Sequence, residues 1–409
     1  MATCEEHPLD VPVVEDPIIG DSTTTYDLLL YIAAGCAALA SLLSLLQIFR
    51  HATNYTAPLA QKQIIRILFM VPVYSISCAL SIHFYSRHVY LAAGYEFYES
   101  IAVASFFILM CQEIRPEWSS LRRVFNLLRP KPWFGPLRLI HMCIRRRRSG
   151  QPSSGLRWLN IVSLAILQFV VVKFFGALAK IITESRDVYC AESNSTQHAS
   201  IWIGIVEMAS LVVAMLYLLQ FYDEIKEPLK EHNPLLKVLS IKAVVFLFYL
   251  QSFIFARLTA EDGPLQPTGT LSYPTLAAGI PNLLLCIEML LVSIVHFWAY
   301  PVRPYVIRSH KDSEGQTGSG EETQQSQKDA QRLEVVHQGG ILGWKAYVDA
   351  IVIADILWGI GQFSYWIFFS RTSTDSARLD DEFAQRNPTI ANGGGPFRTD
   401  DLKSAMQYV

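Results

Sequence analysis

The sequence predicts an all-α polytopic membrane protein, a seven-transmembrane helix bundle with a cytosolic tail containing an amphipathic or interfacial helix. Three observations predict it. The 409 residues are 51% hydrophobic and only 17% charged, where a soluble domain carries about 25% charge. The apolar residues gather into seven runs long enough to match the hydrocarbon thickness of a bilayer. Lys and Arg collect in alternate connections between those runs.

The elements follow in chain order. Residues 1–26 hold six carboxylates and no Lys or Arg, the opposite of a basic leader. They read as an outer or lumenal segment, with the first span also serving as the targeting signal. The spans fall at 27–49, 64–85, 89–112, 158–182, 201–222, 236–258 and 277–300. At 1.5 Å per residue each can cross the membrane as a helix that satisfies its own backbone. Pro72 and Pro281 interrupt two of them, which neighbouring helices can tolerate. Residues 309–340 are polar and read as a flexible linker. Residues 341–370 turn hydrophobic and aromatic again, with Trp344, Trp358 and Phe363 punctuated by Lys345, Asp349, Asp355 and Gln362. This segment reads as an interfacial or protein-docking helix, with an eighth span as the alternative. Residues 371–409 read as a disordered tail.

Charge sets the orientation. Residues 113–157 contain eleven Lys or Arg, whereas the connections 86–88, 183–200 and 259–276 hold only Arg87 and Arg186. The N-terminus is therefore expected outside or in a lumen and the tail in the cytosol. Asn194 opens a glycosylation sequon on the outer side, and the model of topology leaves the second sequon, at Asn54, unmodified. Cys4 and Cys190 are the two cysteines on the oxidising side, where a disulfide is permitted. Arg145, Arg146, Arg147 and Arg148, interleaved upstream with Trp133 and Phe134, suit an anionic leaflet; a purely topogenic role is the alternative.

Ionisable groups inside spans are the functional candidates, because a charge at mid-bilayer costs about 2.5–3.5 kcal/mol on insertion scales. Lys173 and Glu288 both count to mid-depth and are candidates for a pair. Glu96 and Glu99 share a face of the third span; they could exchange protons or merely meet the outer headgroups. Glu207 lies in the fifth span. Lys242 could meet an anionic solute or snorkel, and His296 could titrate or be structural. No spacing suggests a catalytic constellation, a metal site or a cofactor motif, and no feature points to nucleic acid.

Several segments in order resemble the organic solute transporter alpha and transmembrane-184 family. They are Gln63-Ile64-Ile65-Arg66 followed by Val71-Pro72-Val73-Tyr74, Tyr98-Glu99-Ser100, Leu167-Gln168-Phe169 with Lys173, Lys242 through Gln251, and Asn282 through Glu288-Met289 with His296 and Pro301. The resemblance spans about residues 26–308. It implies seven helices, movement of organic solutes that are anionic or steroid-like, and work alongside a small single-span partner subunit, with a homo-oligomer as the alternative. It further implies that Glu99, Lys173, Lys242, Gln251, Asn282, Glu288 and His296 line or brace the bundle. The chain departs from the animal transporters in having only Cys143 in its third inner segment and Phe174 after Lys173. The extended tail is similar to fungal members associated with the vacuolar membrane, in which a tail segment engages the ubiquitin-like autophagy modifier. Residues 341–370 are the candidate for that contact. A transporter is thus expected rather than an enzyme, with a tail-based adaptor and a seven-helix receptor as alternatives.

Overall fold

The computed structural model describes Cys4, residues 12–18, 22–139, 155–190, 196–226, 237, 251, 254–255, 258–259, 264–306, 338–369 and 397–398. The protein is an all-α polytopic membrane protein. Among the described residues, six helices are long and apolar enough to cross a bilayer. The predicted sixth span, 236–258, lies almost wholly outside the described residues.

Helix α1 (Thr25–Thr53) starts at a capping box in which Thr24 and Asp27 satisfy each other's backbone. It ends where Asn54 Nδ2 donates back to the Arg50 carbonyl at 2.9 Å. Helix α2 (Pro58–His83) begins with proline, which lacks only an N–H the first turn would leave unused. Gln61 fastens the α1–α2 turn, accepting from Thr56 N and Ala57 N at 2.8 Å each and donating to the Asn54 carbonyl. Helix α3 (His88–Ile114) runs back, and a short amphipathic α4 (Trp118–Leu127) follows at its far end. Then come α5 (Gly155–Glu184), α6 (Ala199–Ile225) and α7 (Ile280–Ala299), the last entered through a π-helical turn at Thr275–Gly279. Pro281 therefore falls in the first turn of α7 rather than breaking it.

The helices pack in two groups. α1, α2 and α7 pack together, α3 packs on α5 and α5 on α6, and the α2–α3 contact joins the two groups. Small residues of α1 (Ala33, Ala37, Ala40) let it approach α2 and α7 closely. At the end away from the N-terminus, Phe125, Trp133, Trp158 and Phe221 stack, with Phe125 and Trp158 centroids 5.8 Å apart. They hold α4 and the following loop against α5 and α6. Large apolar side chains point outward from α1 (Leu42, Leu46), α5 (Phe175, Ile182), α6 (Ile205, Val206) and α7 (Leu291, Trp298). In water such a belt would be untenable, and in a membrane it is the lipid face.

The N-terminal segment straps the opposite end. Glu15 accepts from Tyr26 N at 2.8 Å and Ser272 N at 2.9 Å, and from the Thr275 hydroxyl, joining the starts of α1 and α7. Burial raises its pKa, but these hydrogen bonds outweigh that and hold the carboxyl below its ordinary value. Cys4 and Cys190 form a disulfide, with Cα atoms 5.7 Å apart, tying the same segment to the α5–α6 connection.

The hydrophobic tail segment forms two helices, α8 (Trp344–Ile351) and α9 (Ala354–Phe369), separated by a break at Val352 and Ile353. α8 lies on α2 and the end of α1, and α9 lies on α5. Gly343, at φ +74°, lets the chain touch Ala52: a Cβ there would sit 2.5 Å from the Ala52 carbonyl. Outside the helices, among the described residues, extended pairing includes the two-residue strands Leu128–Arg129 and Phe397–Arg398.

Candidate functional site

Two buried charge clusters stand out, one at each end of the bundle. The first lies between α3, α5 and α6, toward the end that carries the N-terminus. Lys173 and Lys180 are seven residues apart on α5 and so share a face. Lys173 Nζ donates to Glu96 Oε2 and Glu207 Oε2, both at 2.7 Å, and Lys180 Nζ donates to the same two oxygens at 2.6 and 3.0 Å. The result is a closed square of two ammoniums and two carboxylates with no net charge. Lys173, Lys180 and Glu207 are buried, Lys173 almost wholly, and Glu96 is mostly buried. Gly176 sits on the same face between the lysines. A Cβ there would come within 2.2 Å of Glu207 Oε1, so the missing side chain is the notch through which Glu207 reaches the pair.

Glu99, one turn from Glu96 on the same side of α3, leans toward α2. Its Oε2 accepts from Tyr74 Oη on α2 at 3.1 Å, and its Oε1 is buried without a hydrogen-bond partner among the described residues. Tyr74 packs on Tyr95 with ring centroids 4.7 Å apart. A carboxyl thus stands beside the square, between the two helix groups, with one oxygen uncommitted.

The structure brings together Glu96, Lys173 and Glu207 from the predicted candidates. It does not pair Lys173 with Glu288, the partner suggested by equal depth. Depth along a helix says nothing about direction around it: Lys173 faces α3 and α6, whereas α7 packs on α1 and α2. Glu288 is half-buried on α7, with Oε2 unpartnered among the described residues. Gln251 donates to the Pro281 carbonyl at 3.1 Å, and Asn282 to the Ala278 carbonyl at 2.8 Å, so both brace the start of α7. His296 is fully buried against Tyr300, and its carbonyl accepts from Gln47 at 2.8 Å. Lys242, Arg145, Arg146, Arg147, Arg148 and Asn194 lie outside the described residues.

Sequence reading missed two participants. Lys180 is about one turn from the end of α5 and looks like a flanking charge; its spacing from Lys173 was the available signal. Arg66 is the other. It lies within α2, 1% exposed, and is the centre of the second cluster. Its two terminal nitrogens fork onto Asp355: Nη1 to Oδ2 at 3.0 Å and Nη2 to Oδ1 at 2.8 Å. Gln63 Nε2 donates to the same carboxylate at 2.8 Å, and Lys62 Nζ is 3.1 Å away. Of the remaining guanidinium donors, Nε goes to the Ala350 carbonyl at 2.8 Å and Nη2 to the Val352 carbonyl at 2.6 Å, while Nη1 also donates to Gln63 Oε1 at 2.9 Å. Burial raises the Asp355 pKa, but hydrogen bonds and charge from Arg66, with Gln63 and Lys62, prevail and hold it at about 2.

The described residues contain no group of three or more His, Cys, Asp or Glu side chains placed to hold a metal ion. A shallow apolar cleft of 370 Å³ lies elsewhere, between α1 and α2, lined by Leu30, Ala34, Ala38, Ile76 and Leu80.

The profile of the family described as organic solute transporter Ostalpha matches residues 29–305. The chain belongs to the organic solute transporter alpha family. The match takes in α1 through α7 and both clusters' bundle residues, and it ends before the tail helices. No solved structure matches the chain. Membership in a transporter family, on a bundle of membrane-spanning helices, makes this a transporter-like membrane protein and argues against an enzyme.

Proposed function

We propose that the protein carries amphipathic organic anions across its membrane, along a path that passes the Glu96–Lys173–Lys180–Glu207 square. The observation that carries this reading is the square itself. Four ionisable groups buried between lipid-facing helices are costly to insert and are typical of substrate and proton paths. Because each ammonium is shared between two carboxylates, a solute carboxylate or sulfate can replace one glutamate contact without leaving a lysine bare. Glu99, with its uncommitted oxygen, is placed to take up a proton as the square rearranges.

Seven crossings support this reading better than six. α6 ends at the far face, where Lys131 N donates to Glu224 at 2.9 Å, while Thr275 is held at the N-terminal face by Glu15. Lys237 pairs with Glu113 at the far face and Gln251 meets Pro281 part-way back, which are the points a returning helix would touch. The N-terminal disulfide, formed on the face opposite the Arg-rich 113–157 connection, favours an outer or lumenal N-terminus. A small single-span partner subunit and residence in a vacuolar or other endomembrane fit the family resemblance.

The test is uptake of a labelled steroid sulfate into proteoliposomes containing the purified chain. Lys173→Met and Glu207→Gln should each lower uptake at least tenfold with the protein still monodisperse. Full uptake in both variants removes the square from the path, and no uptake by the unaltered chain, with or without a partner subunit, rejects the carrier.

A further inference from the structure

The Arg66 cluster has an unusual division of parts. The guanidinium, Gln63 and Lys62 belong to α2, inside the region shared with the family. The carboxylate arrives from Asp355, 289 residues further along, on an appended segment beyond that region. Residues 309–340, whose composition predicts a flexible linker, lie between that region and the appended segment. Fork-to-fork pairing of guanidinium with carboxylate is a frequent way in which proteins recognise organic acids, and an arginine placed in a spanning helix is normally accompanied by an acid or by backbone carbonyls. Arg66 is 1% exposed but Asp355 remains 26% exposed, so the site opens on the side from which the acid enters.

We propose that Arg66, Gln63 and Lys62 form a binding site for the carboxylate or sulfate of a free organic anion, and that Asp355 is a tethered competitor that plugs it. The buried residues of α8 are Ala346 and Ala350, with Gly343 beside them, all small, so α8 itself interlocks little with the bundle beyond Tyr347 at its edge and the Tyr55 hydroxyl donating to Asp349; the tail's firm seat is Ile356 of α9, buried against Ile101, Ala104, Leu167 and Val170. The outer side of the tail helices carries Trp344, Ile351, Leu357 and Trp358, exposed in the docked state and able to rest on lipid whether docked or released. A tethered acid competes at millimolar effective concentration, so the plug yields only when free anion is abundant. The site is thereby gated by the concentration of its own ligand class on the tail side of the membrane.

The same chemistry is offered by a soluble organic acid and by an anionic lipid headgroup, and the experiment separates them. The full chain is placed in nanodiscs of phosphatidylcholine, with benzoate as probe followed by saturation-transfer NMR, and hydrogen exchange of the α8 amides is measured in parallel. Asp355→Asn should bind benzoate at least tenfold more tightly than the unaltered chain and exchange its α8 amides about tenfold faster. Asp355→Glu, which keeps the acid, should behave as the unaltered chain and controls for folding. Asp355→Asn with Arg66→Gln should lose benzoate binding. Nanodiscs containing phosphatidylserine that suppress benzoate binding to Asp355→Asn identify the headgroup as the stronger ligand of this site; undiminished binding identifies the soluble acid. α8 amides as protected in Asp355→Asn as before, or benzoate binding that survives Arg66→Gln, overturns the proposal. Benzoate binding without steroid-sulfate uptake would reject the carrier reading and leave this site standing, and uptake without benzoate binding would do the reverse.

Discussion

The two charge clusters solve one problem by opposite means. At the N-terminal end, two lysines and two glutamates cancel within three packed helices, and every charge is contributed by the bundle. At the far end, one arginine in α2 is neutralised by a carboxylate from outside the bundle, with carbonyls of the same tail segment and the Gln63 side chain taking its spare donors. The first arrangement can admit a solute anion only as its own helices or protons move. The second can change by exchanging one anion for another. Buried charge thus has two uses in one molecule, an internal path and an external latch.

The largest effect expected from breaking this contrast is at Gly176. Gly176→Val places a side chain where Glu207 lies, with the nearest oxygen 2.2 Å from the new Cβ. The square should not assemble, and monodisperse protein on size exclusion should fall severalfold; an unchanged yield would mean that Glu207 does not need the notch. Lys173→Met comes next, leaving two carboxylates to one ammonium. Removing one partner of a buried pair costs about 3–5 kcal/mol, so a marked fall in thermal midpoint is expected. Lys173→Met combined with Glu96→Gln restores charge balance and should recover more than half of that loss, a coupling read directly from the double-mutant cycle. Two losses that simply add would show that the square is not one unit.

Smaller effects belong to the tail. Arg66→Lys keeps the charge but loses the fork, and should weaken α8 protection in hydrogen exchange several-fold while barely moving the thermal midpoint of the bundle. The pH response has a definite sign. The Asp355 pKa is depressed from 3.8 to about 2 on docking. Its contribution to docking is therefore fully present above about pH 4 and lost as pH falls from there through about 2. Tail protection that fades between pH 7 and 5 would show that a different group holds the latch.

How much of this was legible beforehand depends on the distance between the residues concerned. The six described spans could be read because apolar length is a local property, and their helices extend the apolar runs by about a turn at most ends. Glu96, Lys173 and Glu207 were legible as charges in unsuitable company. Their pairing was not, because position around a helix is settled by neighbours that a linear count does not reveal, and so equal depth pointed from Lys173 to Glu288 instead of Glu96. Lys180 and Arg66 were masked by proximity to helix ends, where basic residues usually serve orientation. Asp355 reads in sequence as a polar interruption of an aromatic segment. Nothing near it in the chain reveals that its counter-charge lies in α2.

Glu15 and Cys4 tie the described residues ahead of α1 into the bundle. A polypeptide started at Thr24 for convenience of expression would free the beginnings of α1 and α7 from one another and leave Cys190 with a bare thiol. Affinity handles and fluorescent fusions are therefore better carried after residue 369, and a purification that includes strong reductant would loosen the face most distant from the tail.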